Sequence, residues 1–151
     1  MPIISFTFDK MHVERYKAIE APLKVNQNMV IEDIKEEEVP ISGGQKEKVL
    51  RFFFSYEVDY QEKQAMIELK GNLILHEGKE EIELIMANWK KDKKFKKETM
   101  QLVLNAVSVR SNIKALMLGQ EIGLPPHIVL PMLRDVSKQA PEGKNKEAYI
   151  G

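Results

Sequence analysis

From Leu50 to Tyr60 every even position is apolar or aromatic (Leu50, Phe52, Phe54, Tyr56, Val58, Tyr60), while Arg51, Ser55, Glu57 and Asp59 stand between them. From Ala65 to Leu75 the odd positions carry the same pattern (Ala65, Ile67, Leu69, Gly71, Leu73, Leu75) against Glu68, Lys70 and Asn72. Successive side chains of an extended chain point to opposite sides, so each run is a strand with one buried face. Only Gln61-Glu62-Lys63-Gln64 lies between them, which makes the pair a long-armed antiparallel hairpin. Two strands alone are marginal in water, and the rest of the chain must therefore extend this sheet and cover its apolar face.

The flanking sequence supplies both. Ile4, Phe6 and Phe8 alternate, after which the apolar set moves to Met11 and Val13; one inserted residue near Asp9 and Lys10 accounts for the change, so this strand is read as bulged. Residues 27–39 alternate poorly, carry Glu36-Glu37-Glu38 and end at Pro40 and a Ser42-Gly43-Gly44 turn, as a charged edge strand does. After Gly78 the period changes. Ile82, Leu84, Ile85, Met86 and Trp89 fit a short helix, and Thr99 is placed to cap a second helix running to about Ile122. The expected fold is α+β: a four-stranded antiparallel sheet with strands near 3–16, 27–39, 47–60 and 64–77, followed by helices. One domain is expected over residues 1–151, with a frayed tail from about residue 138, where Pro141, Gly143 and a charged run from Lys144 follow.

On a wheel of 100° per residue the long helix shows two apolar stripes. Met100, Leu104, Val107, Ala115, Leu118 and Ile122 form one; Leu102, Ala106, Val109, Ile113, Leu116 and Met117 form the other. One stripe covers the sheet. The second needs another partner, either the segment that follows the helix or a second copy of the chain, and the copy gives a homo-oligomer with Leu102, Ala106, Val109, Ile113 and Leu116 at its interface.

Motifs narrow the chemistry. Lys plus Arg and Asp plus Glu are 23 each, so no bulk attraction to nucleic acid or an anionic membrane is expected. There is no cysteine, no apolar run of the roughly 18 residues that marks a membrane span, and no signal-peptide pattern, so a cytoplasmic protein is expected. His12, His76 and His127 are scattered without metal-ligand spacing, and Ser42-Gly43-Gly44-Gln45-Lys46 lacks the spacing of a phosphate loop. No nucleophile motif occurs, and neither an enzyme nor a cofactor or metal is expected. Trp89-Lys90-Lys91-Asp92-Lys93-Lys94-Phe95-Lys96-Lys97 is the alternative worth keeping: its lysines suit phosphates and its two aromatics suit bases, so a nucleic-acid-binding module is the rival reading.

Gly123-Leu124-Pro125-Pro126-His127-Ile128-Val129-Leu130-Pro131-Met132-Leu133 is apolar yet barred by its prolines from regular helix or central strand. Read from its residues alone, it is equally a strap closing the core and a wall of an open groove. Its glycine, apolar residue, paired prolines and later proline, placed after a long helix, resemble those of the SecB-like export chaperones. Val49-Leu50-Arg51-Phe52-Phe53-Phe54-Ser55-Tyr56-Glu57-Val58 and Ile67-Glu68-Leu69-Lys70-Gly71-Asn72-Leu73-Ile74-Leu75 are similar to that family's third and fourth strands. The resemblance implies an ATP-independent holdase, a tetramer of identical chains that binds non-native polypeptides on an apolar groove. Phe53, Leu124, Pro125, Pro126, Ile128, Leu130 and Met132 are the expected contacts for such clients. Two departures stand out. Val107-Ser108-Val109-Arg110-Ser111 replaces the Phe-Pro-Tyr-Ala-Arg type run of bacterial members, and the family's further C-terminal helix is at best short. Docking to an export motor of the SecA kind is thereby put in doubt, and a toxin–antitoxin client is the other system a divergent member would serve.

Overall fold

The computed structural model describes residues 3–41 and 43–128; the expected tail from about residue 138 lies outside them. Four strands precede two helices: β1 (Ile3–Arg15), β2 (Val25–Ile41), β3 (Gln45–Tyr60), β4 (Ala65–Leu75), α1 (Lys79–Asp92) and α2 (Lys97–Glu121). Each strand lies within two residues of the expected bounds. All pairings are antiparallel and the order is β1-β4-β3-β2, so the chain is α+β with β1 and β2 at the sheet's edges.

Local chemistry accounts for the turns. Gly43 and Gly44 take φ of 94° and 76° between β2 and β3, values that suit glycine. The β1 register steps from Phe8 opposite Gly71 to Lys10 opposite Lys70, leaving Asp9 as the inserted residue of a bulge. Gly71 is needed there, because a Cβ at this position would stand 2.2 Å from the Thr7 carbonyl oxygen and 2.9 Å from Phe54.

The alternating positions of β3 and β4 form the inner face. Leu50, Phe52, Phe54, Tyr56, Val58 and Tyr60 are buried with Ala65, Ile67, Leu69, Leu73 and Leu75, and the helices cover them. Ile82, Ile85 and Trp89 of α1 join Val103 and Val107 of α2 over Phe52, Phe54 and Leu73. Glu80 and Glu81 open α1 and Lys90 and Lys91 close it, each complementing the helix dipole.

The long helix corrects two expectations. Thr99 does not cap it: the helix starts at Lys97, its cap Lys96 gives no side-chain hydrogen bond, and Thr99 is fully buried within the first turn. The buried residues are Thr99, Val103, Val107, Ser111, Ala115 and Gly119, spaced by four; of the wheel's first stripe only Val107 and Ala115 lie on this line, while Met100, Leu118 and Ile122 are partly buried beside it. A line with this spacing drifts around the helix and is the ridge that packs when a helix crosses obliquely. Among the described residues no helix is long and apolar enough to cross a membrane.

Candidate functional site

The segment after α2 is built by a helix terminator. Gly123 takes φ of 72°, its N–H donates to the Gln120 carbonyl at 3.2 Å, and the Leu124 N–H donates to the Gly119 carbonyl at 2.8 Å. This paired arrangement reverses the chain and lays the next apolar residue back on the last turn. Leu124 therefore packs on Gly119 and Ile67 and is buried in the cluster of Tyr56, Val58, Tyr60 and Ala115. Expected to be presented to clients, Leu124 instead closes the core. Pro125 and Ile128 are half-buried and Pro126 is exposed; Leu130 and Met132 lie outside the described residues.

Polar groups hold this strap. Tyr60 Oη donates to the Pro125 carbonyl. His127, buried like Leu124, places Nε2 2.9 Å from Tyr56 Oη and 3.0 Å from Asn112 Oδ1. Tyr56 Oη donates to the same Asn112 oxygen, and Asn112 Nδ2 donates to Ser108 Oγ at 3.2 Å. Burial pushes the Tyr56 hydroxyl up to about 12, with the neighbouring Tyr60 adding to the effect, and burial holds His127 below its ordinary value. Beside the strap lies a cavity of about 290 Å³ lined by Tyr60, Ala115, Leu116, Leu124, Pro125 and His127, among others.

Phe53 does not share a groove with the strap. It occupies an odd position of β3 and so faces the side of the sheet away from Leu124. Its ring lies 5.3 Å from Lys35 Nζ. Next to it, polar side chains link all four strands: Arg51 Nε donates to Glu37 at 2.8 Å, Arg51 also donates to Asn72, and Asn72 Nδ2 donates to Asp9 at 2.7 Å. The expected groove between the hairpin and the segment is thus divided by the sheet itself, a consequence of the period-two geometry.

A different groove lies where β2 meets the helices. Met29, Val30, Ile31 and Glu32 of β2 form one wall, Met100 and Leu104 of α2 another, and Trp89, Lys93 and Phe95 lie between, around about 580 Å³. β2 is an edge strand, so one side of its backbone pairs with no strand among the described residues. A register shift between Ile31 and Asp33 interrupts its pairing with β3 here. Asp33 Oδ1 then accepts the Ile34 N–H at 2.9 Å and the Trp89 indole N–H at 3.4 Å, tying the bulge to the helix layer. Poor alternation in β2 hid this groove from the sequence, although Met29 and Ile31 were the signal.

The lysine stretch is placed differently from its nucleic-acid reading. Trp89 and Phe95 are only 6% and 8% exposed and pack on one another, with Phe95 also against Phe52. These rings anchor the loop and are not free to stack bases, while the six lysines lie outside. Among the described residues no group of His, Asp and Glu is placed to hold a metal ion.

On α2 the second stripe divides. Val109, Ile113 and Met117 are more than half exposed; Ala106 and Leu116 are half-buried, Leu116 lining the strap cavity. Leu102, expected at an interface, packs against the core instead, because the four-residue ridge rotates that end of the stripe toward the sheet.

No family model matches the sequence, and no curated protein matches it. Among solved structures, the SecB-like chaperone of Mycobacterium tuberculosis, in complex with a ChAD peptide from the HigA1 antitoxin, matches with a TM-score of 0.45 and 12% identity over 89% of this chain and 91% of that one.

Proposed function

We propose that the protein is a holdase: it binds non-native polypeptides in extended form, without nucleotide, along the β2 edge and the groove beside it. The observation that carries this reading is the pairing of a strand edge that is unpartnered among the described residues with an apolar groove. An extended client has two unmet needs, backbone N–H and C=O groups without partners and apolar side chains in water. A strand edge answers the first and an adjoining groove the second. Met29 and Met100 give the walls adaptable surface, which suits clients of varied sequence. The resemblance of the proline-braced segment and hairpin to SecB-like chaperones supports the same class, and with it a homotetramer acting in export or on a toxin–antitoxin client. Val109, Ile113 and Met117 provide the exposed apolar face for self-association.

The test is suppression of aggregation of a chemically unfolded client, with and without ATP, by the full chain and by Leu104→Gln with Val30→Lys. The wild type suppresses aggregation equally in both conditions, and the double variant loses most of that effect while its melting temperature stays within a few degrees. A wild type that holds no client ends the reading. A gel shift at low and high salt addresses the nucleic-acid rival, whose complex would weaken steeply with salt.

A further inference from the structure

We propose that His127 is a proton-operated latch: its neutral ring ties residues 123–128 across the seam between β3 and α2, and its protonation releases them. The hydrogen-bond geometry fixes the ring's state. Tyr56 gives its one hydroxyl proton to Asn112 Oδ1, so the His127 Nε2 that approaches both oxygens must carry a hydrogen and donate. The other nitrogen, Nδ1, is then bare; it is buried and has no partner among the described residues. A second proton has only Nδ1 to occupy, where no acceptor among the described residues meets it, and the added charge sits in a largely buried seam.

Among the described residues the surroundings offer that charge no anion. Tyr56 and Tyr60 face the ring or its segment from β3, Asn112 from α2 with Ser108 behind it, and Gln27 from β2, the Gln27 Nε2 donating to the His127 carbonyl at 3.4 Å; none is an anion at neutral pH. A charged group that does reach the segment is the Arg15 guanidinium of β1, 3.6 Å from where a Cβ on Gly123 would lie, and it is a cation. Burial accordingly favours the neutral ring. With the folded value depressed, the strap is fully seated above the ordinary histidine range and loosens as pH falls below it, by at most about tenfold per pH unit for one proton. Release would uncover the surface of Ile67, Tyr60, Ala115 and Gly119 now under Leu124. The latch stands on this geometry; that the uncovered seam receives client rests on the function proposed above.

The chain has no cysteine, which makes thiol labelling clean. Ala115→Cys puts a thiol under the strap, where the native side chain is 1% exposed, and Thr7→Cys puts a reference on exposed β1. The ratio of their alkylation rates is measured at pH 7.5 and 5.5 on the full chain, with far-UV circular dichroism monitoring the fold. The ratio rises severalfold on acidification, and adding His127→Gln, which keeps a donor but takes no proton, abolishes the rise. A flat ratio, the same rise with His127→Gln, or a rise only when the far-UV signal collapses overturns the latch. In the unsubstituted protein, intrinsic-rate-corrected exchange of the Leu124 amide must increase as the His127 ring titrates by NMR; ring titration without that increase also overturns it. A client assay at both pH values separates the ideas, since a strap that opens while no client is held leaves the latch standing and removes the holdase.

Discussion

The two ends of the sheet's inner face are sealed in different ways. At one end Phe52, Phe54, Trp89, Phe95, Val103 and Val107 close the seam with large apolar side chains from two helices. At the other, α1 is absent and α2 presents Ser111, Ala115 and Gly119, so the cover is a proline-braced strap held by Tyr56, Tyr60, Asn112 and His127. Apolar closure of the first kind is insensitive to pH and leaves room only where the β2 bulge parts the layers. Closure of the second kind depends on hydrogen bonds to neutral groups and so answers to protons. The contrast teaches that an open groove and a releasable cover require different side chains even on one sheet.

Substitutions sharpen that contrast in descending order. Phe52→Ala empties the fully buried end and is expected to cost about 3–5 kcal/mol by equilibrium denaturation. Leu124→Ala, at the rim of a cavity, is expected to cost less, about 2–3 kcal/mol; a cost equal to that of Phe52→Ala would make the strap ordinary core. Tyr56→Phe removes the hydroxyl shared by Asn112 and His127 and is expected to cost about 1–2 kcal/mol. The wild type should lose stability as pH falls below the ordinary histidine value of 6.5, because the unfolded chain then binds a proton the folded one resists. His127→Gln should flatten that part of the profile. Ile113→Glu, on a side chain 55% exposed, should change stability by no more than about 0.5 kcal/mol while lowering the mass seen by light scattering if copies associate there.

The hairpin, the β1 bulge and the glycine turn were readable because period-two alternation and positive-φ glycines leave direct traces in sequence. The inner line of α2 was not, since Thr99, Ser111 and Gly119 carry no apolar signal although all three are buried, Gly119 close to Ile67 of the sheet. The strap's geometry was half readable. Gly123 marks where the helix ends, but whether Leu124 faces out or in is decided by the reversal that follows. Phe53 stands out in the sequence as an apolar break in a polar face, and the sheet places that face away from the helices. The groove at β2 was hidden because its bulge erases the alternation that would have announced it.

Hydrogen exchange with and without a bound client tests the central claim most directly. The account predicts that an extended, apolar client slows exchange along residues 26–32 of β2 and shifts the emission of Trp89, the one tryptophan, leaving the β1 edge unchanged. A client held by the protein with no protection on β2, or with protection on β1 in its place, would contradict it.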